Sequence, residues 1–294
     1  MPELPEVETI SAGLQQFLSG KLIKDIAFIR KDIVRGPFAH QCNRVINETV
    51  ESNTEIISIT RRAKRLIIHT SGPYAFIFGL GMTGHFSVNK STDPLVKHTH
   101  LVISTSSQKG VNKQRTPLEM RYIDPRRFGK IWVIETPKDN ETMDHAMIRG
   151  GMTPLGPEPF LLTGQSLKFI LSKSSRAIKT LLLDQTKIAG LGNIYADEAL
   201  YSAKIHPTRC ANEINAKHAS LLCRHIKAVL NKSIQSGGTT FMNYKNAYGD
   251  PGAFQKMLNV YGKTGLPCRK CNTGISQITL GGRSTHFCAN CQCI

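Results

Sequence analysis

The sequence lacks the features that would place it in a membrane or outside the cell. It has no apolar run of the ~18–20 residues that a membrane-spanning helix needs. Its first residues also lack the basic stretch followed by an apolar segment that marks a secretory signal. We therefore expect a soluble protein of the cell interior, with no membrane partner.

Acidic residues are scarce as well. Lys and Arg number 38 against 21 Asp and Glu, which gives a formal net charge of +17, and no acidic residue follows Tyr261. Such an excess of positive charge predicts a polyanionic partner. A membrane surface would be one such partner, but the lack of long apolar runs favours nucleic acid.

The eight cysteines do not have the spread of a disulfide framework, because five of them lie between residues 268 and 294. Cys268-x-x-Cys271 and Cys288-x-x-Cys291 are two close pairs separated by 16 residues. Such knuckles place four thiolates tetrahedrally around Zn²⁺, and a complete quartet leaves no open position for catalysis. We predict one structural zinc per chain, with a redox pair or chance spacing as the alternative and Cys293 as a free thiol.

The chain divides into a β-rich part and a helical part. An amphipathic helix at 6–19 precedes short β-prone runs up to Glu135, which predict an antiparallel sandwich or barrel. Helical patterns follow at 165–172, 175–184, 193–203 and 217–236. The predicted fold is of the α+β class. Its predicted domains are a β-sandwich with a leading helix at 1–135, a proline-rich linker at 136–163, a helical domain at 164–260 and a zinc ribbon at 261–294.

The opening residues are Met1-Pro2-Glu3-Leu4-Pro5-Glu6. A Met before Pro is normally removed, which would leave Pro2 with a terminal secondary amine. An α-amino group titrates near pH ~8, against ~10.4 for Lys, so a useful share of it is neutral and nucleophilic. Glu3 and Glu6 are close enough to supply acid or base. The alternative is an ordinary helix start, with Pro in the first turn and acids favoured by the helix dipole.

Other motifs also have two interpretations each. The basic run at 61–65 is either a solvated edge between strands or a track for phosphates. The loops 81–84 and 124–129 have apolar tips, which either enter a DNA stack or fill buried turns. The glycine turn at 188–194 opens a helix, where free amides bind phosphate or simply join two packed helices.

Taken together and in order, these motifs resemble the formamidopyrimidine-DNA glycosylase family, the bacterial repair enzymes for 8-oxoguanine. The resemblance covers almost the whole chain. It rests on PELPEVET at 2–9, RRAK at 61–64, GMTG at 81–84, DPRRFG at 124–129, GPEP at 156–159, AGLGNIYADE at 189–198, GGTT at 237–240, VYGKTGLPC at 260–268 and GGRSTHFCANC at 281–291.

The resemblance implies a β-sandwich with a leading helix, followed by a helical domain with a helix–two-turn–helix motif and a zinc finger. It implies a bifunctional enzyme of base-excision repair that binds damaged double-stranded DNA in the cleft between its domains. Such an enzyme flips and excises oxidised purines and then cuts the abasic strand by β,δ-elimination through a Schiff base. The implied molecule is a monomer in the bacterial cytoplasm, associated with the nucleoid.

The same resemblance assigns roles to single residues. Pro2 is the nucleophile, Glu3 the acid that assists sugar-ring opening, Glu6 a supporting carboxylate and Lys64 a catalytic lysine near the lesion. The expected DNA contacts are His98, Arg126, Lys179, Asn193, Tyr261, Lys263 and Arg283. The residues that fill the space of the flipped nucleotide are Met82, Arg126 and Phe128. The lesion-covering loop at about 241–253 varies among relatives and leaves the base preference open.

Two other functions stay open. An endonuclease VIII-like enzyme would excise oxidised pyrimidines, but those relatives usually have Gly at the position of Leu4. A zinc protein that binds DNA without chemistry is the other alternative. Such a binder has no need of a free terminal amine at Pro2 next to Glu3 and Lys64.

Overall fold

The computed structural model describes residues 2–106, 117–239 and 252–293. The chain forms two compact units. The first comprises residues 1–154 and 239–252, and the second comprises 155–238 and 253–294. The four domain limits given above stay a prediction.

The first unit begins with helix α1 (Leu4–Leu18), two residues earlier than predicted. Its apolar side chains recur every three or four residues, so Val7, Ile10 and Leu14 all face the core and are buried. Each such side chain contributes roughly 1.5–3 kcal/mol through burial. The helix ends before Gly20, whose φ of +77° is the left-handed conformation that terminates helices.

Within the described part of the first unit, nine strands form two sheets. The strands are β1 (Ile23–Phe28), β2 (Val34–Arg35), β3 (Ile56–Arg62), β4 (Arg65–Thr70), β5 (Tyr74–Gly79), β6 (His85–Lys90), β7 (Thr99–Thr105), β8 (Leu118–Ile123) and β9 (Lys130–Glu135). One sheet has the order β2-β9-β5-β4-β3 and the other β1-β7-β8-β6. All neighbours are antiparallel except β2 and β9.

The main core lies between the two sheets and α1. Because side chains alternate along a strand, Leu66 and Ile68 of β4 belong to this core, whereas Ile67 points to the other face of the sheet. There Ile67 joins a second cluster with Ala146 and Met147. The predicted α+β fold with an N-terminal β-sandwich is confirmed.

Two helices of the first unit were not predicted. Helix α2 (Cys42–Glu51) lies within the region predicted as β. Its buried side chains are only Cys42, Val45 and Thr49, so its apolar stripe is too narrow to stand out in the sequence. Helix α3 (Met143–Arg149) lies in the predicted linker and covers the outer face of the sheet beside β9.

The second unit is helical with a small β-hairpin. Its helices are α4 (Gly164–Ser172), α5 (Ile178–Leu182), α6 (Asn193–Ser202) and α7 (Ala216–Gln235). Helix α5 is shorter than its predicted 175–184, because residue Ala177 pairs with Cys210 in an isolated bridge. Short 3-10 helices are found at Lys31–Ile33, Pro159–Leu161, Ala211–Glu213 and Phe254–Met257.

The hairpin consists of β10 (Ser276–Leu280) and β11 (Arg283–Phe287) and belongs to the predicted zinc ribbon. Its buried cluster is small and contains Tyr201, Val260, Ile275 and two of the cysteines. Among the described residues, no helix combines the length and the apolar character needed to cross a membrane.

Candidate functional site

Pro2 and Glu3 are buried immediately before α1, and Glu3 is 2% exposed. Glu6, in the first turn, accepts a hydrogen bond through Oε2 from the backbone N–H of Glu3 at 2.8 Å. Its other oxygen, Oε1, accepts from the N–H of Thr239 at 2.7 Å. Both carboxylate oxygens therefore fix backbone, which suits a supporting carboxylate. The nitrogen of Pro2 becomes a secondary amine only when Met1 is removed.

The basic run spans the end of β3, the turn at 63–64 and the start of β4. Arg61 pairs with Glu8 of α1 at 2.6 Å, and Arg62 pairs with Asp144 of α3 at 2.8 Å. Neither sequence interpretation is right for these two arginines, because carboxylates of neighbouring helices already neutralise them. The Arg61–Glu8 pair instead ties the turn that carries Lys64 to the helix that follows Pro2.

Arg65 differs from its neighbours in the run. Its guanidinium lies 5.9 Å from the centre of the Trp132 ring. Burial is the main cause that lowers the pKa of Arg65. This residue is therefore part of the packing of the sandwich.

The loops 81–84 and 124–129 lie side by side. A Cβ added to Gly81 would fall 2.6 Å from the backbone nitrogen of Gly129, so the two loops are in direct contact. Met82 is 44% and Phe128 54% exposed, which is unusual for large apolar side chains. The guanidinium of Arg126 lies 4.7 Å from the centre of the Phe128 ring. The three predicted space-filling residues thus occupy adjoining loop tips.

In the second unit, the glycine turn leads into α6 as predicted. Gly190 has a φ of +95° and Gly192 is the N-cap. Asn193, the first residue of α6, donates through Nδ2 to the carbonyl of Ser284 at 2.8 Å. Arg283 lies exposed next to that carbonyl, at the start of β11. The two predicted phosphate contacts therefore belong to neighbouring segments.

Lys179 requires a correction. It is fully buried, and its Nζ lies 2.7 Å from Asp197 Oδ1, 2.9 Å from the carbonyl of Ser284 and 2.8 Å from Thr285 Oγ1. A direct contact with a DNA phosphate is at odds with this position. Asp197 Oδ2 also accepts from the backbone N–H of His286 at 2.9 Å. Lys179 and Asp197 therefore fasten β11 to the helices.

Glu198 fastens a second segment. Its carboxylate accepts from the backbone N–H groups of Asn259, Val260 and Tyr261 at 2.8 to 3.0 Å. This places Tyr261 and the nearby Lys263, both expected DNA contacts, against α6. Burial and a neighbouring arginine lower the pKa of the Lys263 ammonium.

The four cysteines of the ribbon lie at the spacing that zinc requires. Their sulfur atoms are all within 4.8 Å of one another. Three of the Sγ–Sγ distances are 3.5, 3.5 and 3.9 Å. A tetrahedron with Zn–S bonds of ~2.3 Å has sulfur–sulfur distances of about 3.8 Å. The donor set Cys268, Cys271, Cys288 and Cys291 therefore fits a structural zinc.

Models of known protein families match three stretches of the chain. The model of the formamidopyrimidine-DNA glycosylase N-terminal domain matches residues 1–131. The formamidopyrimidine-DNA glycosylase H2TH domain matches 155–245, and a zinc finger found in FPG and IleRS matches 265–292. A formamidopyrimidine-DNA glycosylase of Latilactobacillus sakei subsp. sakei (strain 23K) is 37% identical over 99% of this chain and 98% of that protein. The chain belongs to the formamidopyrimidine-DNA glycosylase family.

Solved structures of this family agree. The Fpg of Lactococcus lactis, in complex with DNA that contains an abasic site, has a TM-score of 0.85 and 33% identity, with 100% of both chains covered. A variant of that protein bound to Fapy-dG DNA gives the same TM-score, identity and coverage. These findings confirm the predicted family and, with the cysteine cluster, the predicted structural zinc. The predicted association with the nucleoid stays a prediction.

Asp197 and Glu198 are the functional residues that the sequence interpretation missed. Both are 1% exposed, in a helix that is buried over 194–201. Two adjacent acids within the otherwise apolar run 194–200 were a usable signal, since buried acids are almost always paired. Apart from Lys179, the single-residue DNA contacts remain predictions, and the loop 241–253 lies almost entirely outside the described residues.

Proposed function

We propose that this protein is a bifunctional glycosylase and lyase that excises oxidised purines from double-stranded DNA. The observation that carries the proposal is the buried start of α1, where Pro2 and Glu3 adjoin and Glu6 holds the backbone of Glu3. Family membership supports it, because relatives of similar fold bind abasic-site and Fapy-dG DNA. The protein acts on DNA as a monomer and holds one zinc.

Pro2 supplies the nucleophile. With Met1 removed, its amine has an unperturbed pKa of about 8, so a substantial share is neutral at pH 7.5. The nitrogen bonds to C1′ of the flipped nucleotide as the bond from C1′ to the base breaks, and the leaving base takes up a proton. Sugar-ring opening then gives an iminium between Pro2 and C1′.

Glu3 supplies the proton for ring opening. Its carboxyl is buried beside Pro2, where it delivers a proton to the sugar ring oxygen as the C1′–O bond breaks. The iminium acidifies C2′, and loss of a C2′ proton expels the 3′ phosphate. A second elimination expels the 5′ phosphate, and hydrolysis of the imine frees Pro2. Lys64, in the turn that the Arg61–Glu8 pair ties to α1, handles these protons.

The second unit supplies affinity. Asn193 and Arg283 grip the phosphates beside the flipped nucleotide, and Tyr261 and Lys263 add contacts along the backbone. These groups contact phosphates rather than base edges, so they hold any sequence. When bound, the zinc orders the ribbon that carries Arg283 and takes no part in the chemistry.

Borohydride trapping tests this function. Reduction during turnover on an 8-oxoguanine duplex should convert the iminium to a stable protein–DNA adduct that maps to Pro2. Pro2→Gly keeps a terminal amine but loses the ring, so it should bind and lose most chemistry. Glu3→Gln should bind the lesion, excise it poorly and still cleave a pre-formed abasic site.

Two results would overturn the proposal. An adduct that maps to Lys64 would remove Pro2 from the mechanism, and full activity in protein that retains Met1 would do the same. A parallel series with formamidopyrimidine and thymine glycol duplexes measures specificity. Faster excision of thymine glycol than of 8-oxoguanine would replace the purine assignment with the endonuclease VIII-like one.

A further inference from the structure

We propose that Asp124 is the positioning residue that joins the loops 81–84 and 124–129 into one rigid wedge. This inference rests on the proposed function, in which Met82, Arg126 and Phe128 enter the space of the flipped nucleotide. Asp124 lies at the end of β8 and is 1% exposed. It touches no DNA in this role and acts through the loops that it holds.

Both oxygens of the Asp124 carboxylate accept hydrogen bonds, one from each loop. Oδ1 accepts from the Thr83 hydroxyl at 2.5 Å, and Oδ2 accepts from the backbone N–H of Gly129 at 2.7 Å. The Thr83 hydroxyl in turn accepts from the N–H of Arg126 at 3.2 Å. The tip that carries Met82 is thus bonded to the loop that carries Arg126 and Phe128.

The backbone of Asp124 fixes a third segment. Its N–H donates to the carbonyl of His98 at 3.1 Å, and its carbonyl accepts from His100 Nε2 at 2.8 Å. His98 is exposed, has a φ of +68° and is an expected DNA contact. Because a non-glycine residue at positive φ is strained, it persists only where neighbouring bonds hold it. Asp124 supplies such a bond, and so connects the segment of His98 to the two loops that carry Met82, Arg126 and Phe128.

Both loops pack closely against the side chain of Tyr122. A Cβ at Gly129 would fall 1.8 Å from the Tyr122 hydroxyl, and one at Gly84 would fall 2.6 Å from it. The same Cβ at Gly84 would lie 2.4 Å from the carbonyl of Leu80. Glycine is required at both positions because the backbone passes directly against the Tyr122 hydroxyl.

Rigidity matters because of what a wedge must do. Extruding a nucleotide costs unstacking energy, which inserted side chains must offset. A loose tip would lose conformational freedom on insertion, and that loss would cancel part of the gain. Holding the loops in place before DNA arrives removes this cost. Asp124 therefore affects extrusion and the reading of the opposite base, but not the chemistry at Pro2.

The test uses a pair of variants at Thr83, with Asp124→Asn as a third. Thr83→Val removes the hydroxyl at constant size, and Thr83→Ser keeps it. We expect Thr83→Val and Asp124→Asn to excise 8-oxoguanine roughly tenfold more slowly, the effect of losing a hydrogen bond to a charged group. Arg126 can donate to the acceptors of a cytosine left opposite the flipped base, whereas a purine there would crowd it. Because these variants no longer hold Arg126 in place, their preference for cytosine over adenine opposite the lesion should flatten. Thr83→Ser should keep the normal excision rate and the normal preference. All three variants should cleave a pre-formed abasic site at near the normal rate.

Thr105→Val is the matched control. It removes another buried threonine hydroxyl of the same unit, whose bond goes to the carbonyl of Leu118 at 3.0 Å. It should lower the melting temperature without changing the opposite-base preference. Normal excision and normal preference in Thr83→Val would overturn the role of Asp124 while leaving the proposed function intact. Absence of a Pro2 adduct in the unmodified protein would instead overturn the function itself.

Discussion

The wedge loops of the first unit and the ribbon hairpin of the second unit hold exposed side chains in different ways. The wedge stands on a large sandwich core, and one carboxylate with a few close glycine contacts is enough to fix it. The ribbon has only a small buried cluster. It relies on four thiolates and on the buried Lys179–Asp197 pair. Hydrogen bonds suffice where a core already orders the backbone, whereas a segment without a core needs metal and charge.

Removing zinc should produce the largest difference between the two regions, because only the ribbon hairpin depends on the metal. Cys288→Ser, or chelation, should unfold the ribbon and take Arg283, Tyr261 and Lys263 out of position. Structural zinc contributes on the order of 10 kcal/mol in small fingers, so affinity for abasic-site DNA should fall at least a hundredfold. Metal analysis and binding assays measure this loss.

The sandwich is the internal control for that experiment. Amide exchange over β3 to β5 should stay as slow as in the zinc-loaded protein. Active protein with much less than one zinc per chain would contradict the structural role, as would normal binding by Cys288→Ser.

Asp197→Asn should give the next largest effect. It leaves the buried Lys179 charge without its counter-charge, and breaking such a pair costs about 3–5 kcal/mol. The zinc should stay bound while β11 loosens, so affinity should fall by about tenfold. Faster amide exchange over Arg283–Phe287 would report the loosening.

Two variants sharpen this prediction. Asp139→Asn makes the same charge change at an exposed position, and it should change neither the affinity for DNA nor the amide exchange over Arg283–Phe287. Lys179→Met combined with Asp197→Leu replaces the pair by apolar groups and should recover part of the stability. Unchanged exchange in Asp197→Asn would show that thiolates alone hold the hairpin.

Arg283→Ala should have the smallest effect, because it removes one phosphate contact and leaves both regions folded. Affinity should fall equally for damaged and undamaged DNA. The slope of log K against log salt, roughly −5 if five or six phosphates are neutralised, should become shallower by about 0.9. Lys138→Ala removes an exposed charge elsewhere and should keep the full slope. A loss confined to damaged DNA would contradict the phosphate assignment.

Elements whose residues recur at a regular spacing could be predicted from the sequence. The structure confirms the helix predicted from the apolar period of α1 and the zinc site predicted from the cysteine pairs. It also confirms the β-prone runs that form β3, β4, β5 and β9. Helix α2 was missed because its buried stripe is narrow.

The fastening residues could not be predicted from spacing. Asp124, Asp197 and Glu198 were visible as letters within motifs, but their partners lie 41, 89 and 61 to 63 residues away. The apolar run around Asp197 and Glu198 indicates that these acids need partners, but a single sequence does not indicate which residues the partners are. Lys179 was assigned the wrong partner for the same reason. A lysine in a basic protein suggests a contact with phosphate, but the fold brings Asp197 to Lys179 and buries the pair.

The contact between Glu6 and Thr239 also sets an order of events in synthesis. The two residues are 233 positions apart, and a ribosome that adds about 5–20 residues per second needs roughly 10–50 s to cover that distance. During that time the Glu6 carboxylate lacks the N–H of Thr239 as a donor. The nascent chain therefore carries Pro2, the proposed nucleophile, early, and the support from Thr239 reaches the neighbouring Glu6 late. Completion of the proposed catalytic end waits on residues from the far part of the chain.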